Sequence, residues 1–146
     1  MSLGAFSGPL DLQEVDTPAG ITEEREDRPL WRLTSAMVYG DGAGQTITVP
    51  AGFITDLASI PQFAWSFGFG PAGRWSRAAV VHDFLYATGG SGLWKGAKWI
   101  SRPAPYSRPE ADAIFDRAMA VLGVPTWRRA IMWAAVRVGG ASGWGS

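Results

Sequence analysis

The sequence contains no cysteine. That single absence excludes a disulfide framework, thiolate zinc sites, iron–sulfur clusters and a cysteine nucleophile. There is one histidine, His82, so a metal site built from two or three histidines cannot form within one chain. No apolar run approaches the roughly 20 residues of a membrane span. The N-terminus shows no basic stretch followed by an apolar core, so no signal peptide is expected. Charge is scarce and balanced, with 13 Lys+Arg against 13 Asp+Glu making up 18% of the chain. Nucleic-acid binding runs on surplus positive charge, so no nucleic-acid partner is expected.

What remains is apolar and rich in turns. The hydrophobic fraction of 47% over 146 residues is enough for one domain with a real core. Nineteen glycines and ten prolines predict many turns, and eight tryptophans form an unusual aromatic load. Trp31, Trp75, Trp127 and Trp133 lie in periodic segments and are expected in the core. Trp94, Trp99 and Trp144 lie in glycine-rich stretches and are the candidates for a partner surface.

Residues 1–29 read as an N-terminal segment, partly irregular, with a short strand at 9–15 and a charge cluster at 23–28. Residues 30–138 read as one domain. Apolar alternation over 31–39 predicts a strand, Gly40-Asp41-Gly42-Ala43-Gly44 a turn, and Thr46-Ile47-Thr48-Val49 the returning strand of a hairpin. Residues 53–55 suggest a further short strand. Three helices follow. The first spans 74–87 and is apolar all round, which predicts burial. The second starts at Ser107, where Ser107 and Glu110 form a capping box with Pro109 in the first turn, and stops at Gly123. The third runs over 126–138. Residues 139–146 read as a flexible glycine-rich tail. Strands first and helices after argue for an α+β fold, an N-terminal antiparallel hairpin or small sheet packed against three C-terminal helices. The long connection at 88–106, carrying Trp94, Lys95, Lys98, Trp99 and Arg102, is expected to be ordered by contact. It either self-associates or meets another protein, or it folds back over the helix that carries His82.

The chemistry concentrates where polar groups stand in apolar surroundings. His82-Asp83 interrupts a helix of Ala, Val, Phe and Leu, and burying such groups without partners is costly. Tyr86, four residues on, shares a side with His82, whereas Asp83 lies about 100° away round the helix. Asp112 ends an apolar stripe completed by Phe115, Met119 and Leu122, while Asp116 falls off the stripe, toward solvent. In Thr55-Asp56-Leu57-Ala58-Ser59-Ile60-Pro61, Asp56 and Ser59 are turn-capping residues, or else Asp56 stands beside His82.

These three segments, Thr55-Asp56-Leu57-Ala58-Ser59-Ile60-Pro61, Ala78-Ala79-Val80-Val81-His82-Asp83-Phe84-Leu85-Tyr86 and Ser107-Arg108-Pro109-Glu110-Ala111-Asp112-Ala113-Ile114-Phe115, occur in the order of domain-of-unknown-function family 1353. The chain resembles that family over roughly residues 30–138. The family occurs widely in tailed phages and prophages. The resemblance implies phage origin, a virion or host-cytoplasm location, and importance for Asp56, His82, Asp83, Tyr86 and Asp112. A His-Asp helix followed by Tyr, then a helix carrying Ala-Asp, is also similar to the core of secreted and parvoviral phospholipases. That similarity implies His82 as general base, Asp83 holding calcium and Asp112 orienting His82; in a metal-assisted hydrolase Tyr86 joins His82 and Asp112 as a catalytic candidate, and Asp83 or Asp56 is expected to hold the divalent cation, calcium or magnesium. The glycine-rich segment 68–73 is the candidate cation loop. Three roles stay open at this point. The chain is a structural or accessory virion (tail) protein with a buried His/Asp cluster, a small metal-assisted hydrolase of the host envelope acting on peptidoglycan or lipid, or a carbohydrate- or peptide-binding module. An exposed His82 would favour the enzyme, and an enclosed His82 bonded to Asp112 would favour the structural role.

Overall fold

The computed structural model describes residues 4–8, 10–15, 30–55 and 75–145. Asp56, Ser59, Arg74 and the glycine-rich segment 68–73 lie outside them. The described strands are β1 (Ala5–Ser7), β2 (Leu12–Val15), β3 (Leu30–Leu33), β4 (Met37–Gly40), β5 (Thr46–Val49), β6 (Ile54–Thr55), β7 (Leu93–Trp94) and β8 (Ala97–Lys98). The helices are α1 (Ser76–Ala87), α2 (Arg108–Val121) and α3 (Thr126–Gly139), and a 3-10 turn, Ala141–Gly143, follows. The fold is α+β, as the element order predicts.

The strand expected over 31–39 is two strands. β3 pairs antiparallel between β2 and β6, whereas β4 pairs between β1 and β5. The chain leaves the first ladder at Thr34, whose N–H and hydroxyl both go to the Asp11 carbonyl. Leu33, Met37 and Tyr39 are all buried. Partner strands change while the buried face does not, and alternation alone reports the face. The β4–β5 turn is the expected one: the Asp41 carboxylate accepts from the N–H groups of Ala43 at 2.7 Å and Gln45 at 3.1 Å.

α1 is buried on nearly every side, with Ala78, Ala79, Val80, Val81, Phe84 and Leu85 all at 0% exposure. It packs against β5 and β6 on one side and α2 on the other, and α3 packs on α2. α2 starts at the predicted capping box, with the Ser107 hydroxyl accepting from the Glu110 N–H and the Glu110 carboxylate from the Ser107 N–H. No helix among the described residues is long and apolar enough to cross a membrane.

Residues 88–106 fold back on their own chain. β7 and β8 form a hairpin through Lys95 and Gly96, at φ 47° and 79°. The strip after it lines the edge of β5: Thr48 N–H donates to the Trp99 carbonyl at 2.9 Å, Ser101 N–H to the Thr46 carbonyl at 3.0 Å, and Ile47 bridges Ile100. Trp94 packs edge-on against Phe53, so the hairpin lies against the sheet side rather than over His82.

The tryptophan assignment is largely reversed. Trp94, Trp99 and Trp144 are half-buried against the core, whereas Trp127 and Trp133 of α3 are 57% and 44% exposed. Trp75 is buried as expected, and Trp31 is half-buried. α3 buries only Met132 and Val136, because periodicity locates a stripe without saying which stripe packs.

Candidate functional site

One carboxylate gathers the site. Asp112, on the second turn of α2, is fully buried, and His82, from the middle of α1, is 2% exposed. Asp112 Oδ1 lies 2.7 Å from His82 Nε2 and accepts the Tyr86 hydroxyl at 2.6 Å. Its other oxygen, Oδ2, accepts from Arg137 Nη1 at 2.7 Å. An ionised carboxylate only accepts, so the His82 proton facing it sits on Nε2 and the ring's basic atom is Nδ1. The imidazole lies between Tyr86 and Phe115, with ring centroids 4.2 and 4.7 Å away.

Arg108 ties the same network to a third element. Its Nε donates to the Tyr86 hydroxyl at 3.1 Å, and its Nη2 donates to the carbonyls of Val136 and Arg137 at 3.0 and 2.8 Å. Those carbonyls lie in the last turn of α3, where a cation is favoured, and that of Val136 also accepts the Gly140 N–H at 2.9 Å. Arg108 and Arg137 thus join α2, α3 and α1 through Tyr86 and Asp112.

The electrostatics follow from these contacts. Burial alone would raise the Asp112 carboxyl, but hydrogen bonds from His82, Tyr86 and Arg137 outweigh it and hold the group below its ordinary value. Burial, reinforced by the hydrogen bond to Asp112, pushes the Tyr86 phenol up to about 12.

Asp83 points elsewhere, as its 100° offset requires. Its carboxylate is half-buried and accepts the Thr55 hydroxyl of β6 at 2.5 Å. Of the five expected site residues, His82, Tyr86 and Asp112 come together. Asp83 faces the sheet, and Asp56 lies outside the described residues. Asp116 pairs with Arg129 at 3.2 Å at the surface. Among the described residues, no group of three or more histidine, aspartate or glutamate side chains is gathered to hold a cation. The sequence reading missed Arg108, Arg137, Thr55 and Trp144. Trp144 meets Tyr86 edge-on at 5.0 Å.

The comparisons with known proteins point to the same family as the sequence motifs. The model of a family described as "Protein of unknown function (DUF1353)" matches residues 31–136. An uncharacterised protein, y4jT, of Sinorhizobium fredii (strain NBRC 101917 / NGR234) is 34% identical over 124 residues, 84% of this chain. The chain spans 32% of that relative's length. No solved structure matches.

Proposed function

From the premise that this chain belongs to the DUF1353 family, we propose that it is a phage-encoded structural or accessory protein, associated with the virion, whose His/Asp cluster is a structural tie. The observation that carries this reading is the enclosure of the network: His82 is 2% and Asp112 0% exposed, and Asp112 takes three donors on its two oxygens. A buried hydrogen-bonded network of this kind fixes how elements pack. Here it specifies one arrangement of α1, α2 and α3. The test is mass spectrometry of purified particles from the encoding phage or prophage. Stoichiometric amounts of the protein are expected, and its absence from particles rejects the role.

A second reading, a small hydrolase of the host envelope, is favoured by the ring orientation. With Nε2 held by Asp112, a general base at His82 would take the proton of a water on Nδ1 as that water's oxygen bonds to an acyl carbon of lipid or peptidoglycan. The same proton then passes to the leaving group. Asp83, turned to Thr55 on the sheet side, does not fit a cation on the same acyl group, so this reading rests on His82 alone. Release of fatty acid from vesicles or of stem peptides from peptidoglycan, lost in a folded His82→Gln variant, would establish this reading over the first. No release from either substrate removes it.

A further inference from the structure

Phe115, His82, Tyr86 and Trp144 form a row of rings running from core to surface, with successive centroids 4.7, 4.2 and 5.0 Å apart. Exposure rises along it from 0% at Phe115 to 2% at His82 and 8% at Tyr86, and Trp144 is half-buried at the outer end. Trp144 belongs to no helix or strand of the core. It arrives on the segment after α3, which turns through Ala141–Gly143 and crosses the end of α1.

That crossing is built from glycine. A Cβ at Gly140 would stand 2.8 Å from the Tyr86 hydroxyl oxygen and 2.4 Å from the Val136 carbonyl, so only glycine passes there. A Cβ on Gly89 would stand 3.5 Å from the Gly145 Cα, so two backbones meet without side chains between them. The segment is fastened to α1 by the Gly145 N–H, which donates to the Tyr86 carbonyl at 2.7 Å, and by the edge of the Trp144 indole on the Tyr86 ring. Glycine gives up more conformational freedom on ordering than any other residue, so these fastenings hold against a large entropy.

We infer that residues 140–145 are a displaceable strap over the His82–Asp112 network, with Trp144 as its buckle. In the strapped state the network is closed. When Trp144 leaves, Tyr86 becomes the outermost ring, and its hydroxyl, with Asp112 and Arg108 behind it, meets water. The strap goes beyond both functional readings. It is the loosest border of a structural tie, or the way in to a general base.

Tyrosine acetylation by N-acetylimidazole, mapped by mass spectrometry, tests this within one molecule. The chain has three tyrosines. Tyr39, 0% exposed and packed on Phe6 in the sheet, reports global opening, whereas the Tyr106 backbone meets Gly90 beside Trp144 and is no control. Trp144→Ala removes one aromatic contact and is expected to speed labelling at Tyr86 roughly threefold to tenfold, with Tyr39 unchanged. Gly145→Pro removes the N–H that reaches Tyr86 and forbids the local φ of 74°, and is expected to do the same. Tyr86 labelling at the wild-type rate in both variants overturns the strap. So does a parallel rise at Tyr39, and so does failure of both variants to fold, since a strap must be dispensable to the fold.

Discussion

Asp112 is the residue on which three others depend, and the cost of changing each member differs accordingly. Asp112→Asn keeps the shape but removes the charge facing Arg137 and converts an acceptor into a donor against His82 or Tyr86. We expect a loss of about 3–5 kcal/mol, read as a shift of the urea midpoint. His82→Ala leaves Asp112 with two donors and is expected to cost roughly 1–3 kcal/mol. An unchanged midpoint for His82→Ala would mean that the imidazole is not part of the tie. The members that could be read from the sequence are those set in apolar surroundings: His82 and Tyr86 in an Ala/Val/Phe/Leu helix, and Asp112 above Phe115 and Met119. Arg137 was not legible, because a basic residue in a last helical turn is sufficiently explained by the helix dipole. Arg108 was hidden for a similar reason, standing beside a capping residue in a first turn whose other features account for it.

At the scale of elements, helix limits were legible and sheet partnerships were not. The box at Ser107 and Glu110 specifies the start of α2, and Ser107→Ala is expected to cost about 1 kcal/mol in thermal unfolding. The 88–106 hairpin was not legible, since its turn is Lys95-Gly96 rather than an asparagine–glycine pair and its strands are two residues each. Two glycines there separate packing from conformation. Both Gly90 and Gly96 hold left-handed φ, 82° and 79°. A Cβ at Gly90 would lie 1.8 Å from the Tyr106 carbonyl oxygen, whereas nothing stands within 4 Å of one at Gly96. Gly96→Ala is expected to cost about 1 kcal/mol, the left-handed penalty alone. Gly90→Ala must also push the backbone apart, and is expected to cost more than twice that. Equal unfolding midpoints for the two variants would contradict the packing of residue 106 on the end of α1.

For the whole molecule, the pH dependence of stability follows from the same contacts. Asp112 is held below its ordinary value in the fold, so its contribution is present above the unfolded value, about pH 4. It is lost as pH falls through the lower folded value. Glu110, lowered to about 2 by Arg102 and the Ser107 N–H, acts in the same direction, though its side chain is 47% exposed and solvent screens it. Stability should therefore fall between about pH 4 and pH 2, and Asp112→Asn should flatten that fall. On the alkaline side the Tyr86 phenol, at about 12 in the fold, favours the folded state below about pH 10. That contribution disappears between 10 and 12, and Tyr86→Phe should remove it from the alkaline melting curve. Composition and element order were enough to place the chain in the α+β class, while the side on which α3 packs depends on three-dimensional neighbours that no periodicity carries. The break at residues 34–36 has a mechanical consequence. One continuous stretch of chain is the middle strand of both three-stranded sheets, so neither sheet can slip its register without dragging the other through three residues. Amides of β3 and β4 should therefore exchange with deuterium as a single cooperative unit, although among the described residues no ladder hydrogen bond joins the strands that flank them.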